Sequence, residues 1–303
     1  MKPIFKHKNS GFSLVELLIA LCLGLILITA IYSLFVLQNH SYVNQNLTSE
    51  MQQNARMAMA ILAADLRLAG FGFSISGDYR TTSTTVVYAV TPVNSTTGPD
   101  SITIRYGVIP TTSANQYGVI TPALTTAMAN STGSTMAVSS TNGLSTNDYI
   151  IISDGQNASQ LRITSINNLT SLSFTPVNPN IFPTGGFGVG SRVYKLRQVS
   201  YRISNNILQT QTDGVTWQDA VNNIEDLQLA YQGTTTPPGT WLDNPGPVDQ
   251  TTTTDVQLNI LARSNALDQQ FTGQRPLIRD HVAGAADHYR RRLLTSTIRI
   301  RNL

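Results

Sequence analysis

The sequence predicts an α+β fold in which one long N-terminal α-helix packs on a mostly antiparallel β-sheet with a β-rich insertion. Three observations carry that expectation. The 21 residues from Leu17 to Leu37 contain no charged side chain. Beyond them, apolar residues recur at helical spacing as far as Ala69, with no proline between Phe12 and Gly70. After Gly72 the pattern changes to short β-branched runs between turn residues.

The helix is expected from Phe12 to Ala69, about 87 Å at 1.5 Å per residue. Its first half, residues 12–37, is apolar all round and long enough to span a bilayer core of about 30 Å. In its second half, Val43, Leu47, Met51, Ala55, Ala58, Leu62, Leu66 and Ala69 recur at spacings of four and three. They trace one helical face, while Gln45, Gln52, Arg56 and Arg67 lie opposite. That stripe is core that should pack on the sheet, and Gly70-Phe71-Gly72 is the expected stop.

Strands are expected at Thr85–Val90, Ser101–Val108, Thr135–Ser140, Asp148–Ser153, Gln160–Ile166 and Ser171–Val177. Later ones are Arg192–Ile203, Ile207–Gln211, Ile224–Tyr231, Val256–Ala262 and Leu294–Arg301. Asn205-Asn206 reads as a tight hairpin turn. Trp217 to Glu225 reads as either a helical turn or an extended lead-in. Gly233 to Thr254 and Asn265 to Arg291 read as long, mobile loops, and about 109–190 as the insertion.

Composition narrows the class. Only 12% of the 303 residues are charged, which suits an exported β-rich domain. The formal charge of +3 misleads, because Lys2, Lys6 and Lys8 lie ahead of the apolar stretch. Without them 17 basic residues face 17 acidic ones, so the balance gives no reason to expect a nucleic-acid partner. The Lys-rich N-terminus should stay in the cytoplasm, which places everything after about residue 38 on the far side of the membrane. The lone Cys22 lies within the apolar span, so the exported domain has no disulfide and must be held by packing.

Glu16 is the informative residue. An ionised group within the membrane costs roughly 2.5 to 3.5 kcal/mol, so it needs a partner or a place at headgroup level. An ordinary secretory signal is cut after its apolar segment, whereas here the plausible processing site, Gly11, precedes it. Cleavage after Gly11 would leave a new terminal amine at Phe12 and keep the helix on the mature chain. In a lateral helix assembly, the Glu16 carboxylate of one subunit would face the terminal ammonium of a neighbour. A simple anchor with Glu16 at the headgroups is the plainer alternative.

Gly11-Phe12-Ser13-Leu14-Val15-Glu16-Leu17 resembles the class III signal of type IV prepilins and pseudopilins. The resemblance implies cleavage after Gly11 by a prepilin peptidase, N-methylation of Phe12, and Glu16 as the assembly carboxylate. Residues 1–11 are then a leader, 12–70 the N-terminal helix, and 71–303 a periplasmic or extracellular β-rich domain. Ser33 departs from the pattern, standing where many major pilins carry a helix-kinking proline.

Three further stretches resemble PilW-type minor pilins: Asn54 to Phe71, Val221 to Tyr231, and Tyr289 to Leu303. The second is also similar to a strand of the J-type pseudopilin of type II secretion. The resemblance implies a minor pilin that initiates or caps a type IV pilus, serving twitching motility or adhesion. Its partners would be other minor pilins, the major pilin, the prepilin peptidase and the pilus assembly platform, with the surface pilus as destination. The alternatives are the pseudopilin and a membrane-tethered binding module or adhesin that does not polymerise.

Arg290, Arg291 and Arg292 should stand at the start of the last strand. They could pair with Asp65, with Glu225-Asp226 or with a neighbouring subunit, or form a solvated basic turn. No cofactor, metal or catalytic constellation is expected. His281 and His288 lie seven apart without a third ligand and read as solvated loop residues. Asp243, Asp249 and Asp255 lack EF-hand spacing and read as solvated carboxylates rather than Ca²⁺ ligands. Gly185 to Gly190 resembles a phosphate loop only superficially, because strand signals follow it.

Overall fold

A computed structural model of the protein describes residues 13–81, 85–111, 121–129, 134–176, 181–234, 236–237 and 239–302, with Pro176 and Val248 as backbone only. The chain divides into two compact units, one ending at Ser49 and the other beginning at Glu50. Helix α1 (Leu14–Leu68) runs for 55 residues, as the uninterrupted helical pattern requires. In the first unit its leucines and isoleucines from Leu14 to Leu37 are all more than half exposed. Its most apolar window reaches a mean hydropathy of 2.8, long and apolar enough to cross a membrane. Thr29 and Ser33 return their hydroxyls to the carbonyls of Leu25 and Ala30, so neither leaves a bare donor in that apolar stretch.

In the second unit, Met51, Ala55, Ala58, Met59, Leu62, Ala63, Leu66 and Ala69 are buried, while Arg56 and Arg67 stay exposed. From Met51 on, the expected stripe is thus the helix face that enters the core, whereas Val43 at its start is exposed. The helix stops at Gly70, whose φ of 75° suits glycine and whose N–H donates to the Arg105 carbonyl at 3.0 Å. Gly72 follows at φ 78°, and a Cβ there would lie 2.7 Å from the Tyr194 ring. Only glycine lets the chain leave the helix this close to the sheet.

Among the described residues eleven strands share one sheet. They are β1 (Asp78–Arg80), β2 (Val86–Tyr88), β3 (Val90–Val93), β4 (Ser101–Val108), β5 (Thr135–Ala137) and β6 (Tyr149–Ser153). β7 (Ala158–Asn168), β8 (Ser171–Pro176), β9 (Arg192–Ser204), β10 (Ile207–Thr212) and β11 (Gln218–Asn222) complete it. The order is β11-β10-β9-β6-β7-β1-β2, with β3-β4 also on β9 and β5-β8 also on β7. Pairing is antiparallel except between β1 and β7. Asn205 and Asn206 take φ of 51° and 61°, the left-handed pair that a tight β9–β10 hairpin needs.

A second sheet has the order β12-β13-β16, from β12 (Ile224–Gly233), β13 (Thr253–Arg263) and β16 (Arg291–Arg299). The long loops hold more structure than composition suggested. The first contains helix α2 (Pro247–Thr252), where Asp249 accepts the Gly246 N–H at 3.1 Å. The second contains the ladder β14 (Gly273–Gln274) with β15 (Ala286–Asp287). Trp217 to Glu225 proves extended, because Leu208 and Val221 pair across the β10–β11 ladder and are both buried.

Two hydrophobic cores result. The larger joins α1 from Met51 to β4, β9, β12 and β13. The smaller fills the lobe of β5 to β8, with Phe174, Phe182 and Phe187 inside. β6 serves both, since Ile151 belongs to the larger core while Ile150 and Ile152 belong to the smaller.

Candidate functional site

Gly11 and Phe12 lie outside the described residues; Glu16 lies within them, in the first turn of α1. Its Oε2 accepts the Ser13 N–H at 3.0 Å, and Ser13 Oγ accepts the Val15 N–H at 3.3 Å. Serine just outside a helix with glutamate three residues on is a reciprocal cap, satisfying backbone donors that a helix start leaves bare. In the single chain, the Glu16 carboxylate is therefore engaged with its own backbone.

The arginine triplet divides three ways. Arg291, the first residue of β16, grips Glu225 at 2.6 and 3.0 Å and Asp287 at 2.7 and 2.5 Å. This double fork ties β16 to β12 and β15, and planar guanidinium suits it where ammonium would not. The bonds to Arg291 lower the Asp287 carboxyl to about 2. Arg290 donates to Asp268 at 2.8 Å and lies 4.7 Å from the Phe271 ring centre. Arg292 is exposed and makes no ion pair among the described residues.

Two expected partners of these arginines are occupied elsewhere. Asp65 accepts the hydroxyls of Tyr201 at 2.5 Å and Tyr106 at 3.0 Å, fixing α1 to β9 and β4. Burial first, and then the Asp65 carboxylate, raise both phenols above their ordinary range. Asp226, fully buried, meets His281 Nδ1 at 2.7 Å and Arg275 Nη1 at 3.2 Å. His281 is correspondingly only 6% exposed, so the expectation of a solvated loop histidine fails. Its contact with Asp226 of β12, which Arg275 also pairs, holds it inside. His288 meets the Phe271 carbonyl at 2.6 Å.

The loop carboxylates also separate. Asp243 pairs with Arg279 at 2.7 Å, Asp249 caps α2, and Asp255 accepts the Thr254 hydroxyl at 2.8 Å. Among the described residues no three His, Cys, Asp or Glu side chains converge as a metal site. In the glycine run, Phe187 is buried in the smaller core and β9 follows directly. A strand follows where a phosphate loop needs a helix.

Asp100 was not singled out from the sequence, and Asp226 only as a partner for the arginine triplet. Asp100 accepts the N–H groups of Ser95 and Leu229, each at 2.8 Å. A signal for Asp226 was present: Asp226 and Gln228 alternate with Leu227 and Leu229 at the centre of a strand, so a buried partner had to exist.

Comparison with known proteins gives two family matches. Residues 6–32 match the prokaryotic N-terminal methylation motif. Residues 188–302, which carry β9 to β16, match the family described as Type IV Pilus-assembly protein W. No curated protein matches the chain significantly. Among solved structures, a type IV-like pilin from Thermus thermophilus aligns over 84% of this chain and 96% of its own, at 11% identity and a TM-score of 0.39. The methylation motif, which overlaps the start of α1, and the assembly-protein match over β9 to β16 support a type IV pilin-family protein of the PilW type.

Proposed function

We propose that this protein is a minor pilin that takes part in initiating or capping a type IV pilus, with a structural rather than catalytic role. The single observation that carries the reading is Glu16, a lone carboxylate at the head of the uncharged apolar stretch Leu17–Leu37, within the methylation motif. On this reading prepilin peptidase cuts after Gly11, and Phe12 becomes the methylated terminus. The chain waits in the inner membrane by residues 12–37, with residues 71–303 in the periplasm. It then enters the fibre with other minor pilins, the major pilin and the assembly platform.

Mass spectrometry of sheared surface fibres, from wild-type and peptidase-deficient cells, tests it. The expected result is a chain beginning at N-methyl-Phe12 in wild-type fibres and absent from the mutant. Gly11→Val should leave an uncut, inserted precursor. A chain retaining Met1 despite active peptidase, or cut after Ala20 or Ala30, would overturn the processing step. A processed chain that never leaves the cell envelope would favour a pseudopilin of type II secretion or a tethered binding module.

A further inference from the structure

The second sheet ends on one side in an edge that no described strand pairs. On the β12 side the chain covers its own edge: the Asp100 N–H donates to the Leu227 carbonyl, and the Asp100 carboxylate accepts the Leu229 N–H, both at 2.8 Å. On the β16 side no described strand pairs.

Which groups that edge presents follows from the register. Ile300 N–H donates to the Thr254 carbonyl at 2.8 Å, so this pair is of the hydrogen-bonded kind. The β13–β16 register then runs without a shift from Asp255↔Arg299 to Arg263↔Arg291. Even-numbered residues of β16 therefore bond inward to β13. The N–H and C=O groups of Leu293, Thr295, Thr297 and Arg299 point outward. All four residues have exposed side chains as well.

Natural sheets rarely leave such a row bare unless charge guards it or a partner takes it. Here the charge is of one sign. Arg292, Arg299 and Arg301 are exposed and form no ion pair among the described residues, although Arg299 stands opposite Asp255 in the ladder. Antiparallel pairing of two copies through this edge would bring their arginines together, which opposes self-assembly. An acidic strand meets no such barrier.

We propose that the outer edge of β16 is a docking site for an extended segment of another polypeptide, bearing acidic side chains at alternate positions, that joins the sheet as a fourth strand. Backbone bonds at residues 293, 295, 297 and 299 supply the pairing, and the arginines select the charge. This edge is a property of the sheet alone, whether or not the chain enters a pilus.

The test uses the full chain in detergent micelles and a synthetic peptide of alternating glutamate and valine. The controls are its lysine counterpart and the same acidic peptide N-methylated on alternate residues, which keeps the charge and loses the ladder. The acidic peptide should bind about tenfold more tightly than either control. It should also slow amide exchange at Leu293, Thr295, Thr297 and Arg299, which β13 leaves unprotected. Thr297→Pro, which deletes one outward donor and no inward bond, should weaken binding while leaving thermal unfolding cooperative. Arg299→Glu with Arg301→Glu should reverse the preference toward the lysine peptide. Absence of binding, equal binding of the N-methylated peptide, or no added protection at those four amides overturns the proposal.

Discussion

Tyr201 on β9 and Asp65 on α1 meet at 2.5 Å, a phenol donating to a carboxylate inside the seam between helix and sheet. Tyr106 on β4 donates to the other oxygen at 3.0 Å. The surrounding seam is apolar and would tolerate sliding of the helix, whereas this bidentate pin fixes its axial position. Tyr201→Phe should cost about 1.5 to 3 kcal/mol, the range for a hydrogen bond to a charged group. Adding Tyr106→Phe should cost more than the two single changes together, because the half-buried carboxylate then loses both phenol donors. Urea unfolding of the single and double variants checks this.

The globular part should survive without its membrane helix. A fragment beginning at about Gln38 should be soluble and unfold cooperatively without any disulfide, since the core helix residues begin at Met51. Leu62 is fully buried in that core. Leu62→Asp should remove several kcal/mol by burying an unpaired charge, and Leu62→Ala about 2 to 5 kcal/mol by leaving a cavity. Insolubility of the parent fragment would show that the boundary is misplaced.

Stability should fall as pH rises from about 4 to about 7. Burial raises the Asp100 carboxyl from 3.8 to about 7 against the pull of its two backbone donors, with Asp280 and Asp226 adding to the rise. The folded state therefore holds a proton that the unfolded chain has lost, so raising pH through this window favours unfolding. Above about 7 the effect is complete. Asp100→Asn should flatten this part of the profile, with some loss of overall stability from a mismatched backbone donor. A slope unchanged by the substitution would mean that Asp100 stays ionised when folded.

Arg291→Lys should destabilise the second sheet despite keeping the charge. One ammonium cannot reproduce two forks, and Glu225, largely buried, loses its partner. Loss on the order of 1 to 3 kcal/mol is expected by thermal unfolding. The bonds that lower Asp287 stabilise the fold above its unfolded value and are lost as pH falls toward 2, so the variant should also be less sensitive to acid in that range.

Glu16→Gln should spare processing and membrane residence while reducing incorporation into fibres and the number of surface pili. Glutamine retains a carbonyl to accept the Ser13 N–H, so the helix start should persist. What it lacks is the charge that a neighbour's terminal ammonium would meet. Normal piliation and normal co-purification with partner pilins in this strain would falsify the pairing role.

Elements written in a strong local code were legible in the sequence. β4 was expected at Ser101–Val108 and lies there, because alternating β-branched residues and flanking turns agree. The Asn205-Asn206 hairpin and the Met51–Ala69 stripe belong to the same kind. Short polar elements were harder: β1, with three residues, escaped, and Gln218–Asn222 carries too few apolar side chains to decide between a helical turn and an extended segment. Side-chain partnerships were the least legible. Arg291 to Glu225 was within the pairings considered, yet Asp65 was offered to the same arginines although two tyrosines claim it. Asp226 and His281 lie 55 residues apart, and no local pattern couples them. Buried polar pairs are settled by tertiary register, which a sequence states only through an unexplained polar residue on an apolar face.

Strand β6 has a mechanical consequence. It belongs to both cores, and with β9 beside it forms the seam through which the lobe of β5 to β8 is attached. A pull on that lobe along the strand direction would load the β6–β9 bonds side by side, so they must shear together rather than open one at a time. A pull across the strands would peel them singly and at far lower force. With the sole cysteine at position 22, no covalent bridge backs up this seam. The resistance of the lobe to tension therefore depends on the direction in which the tension arrives.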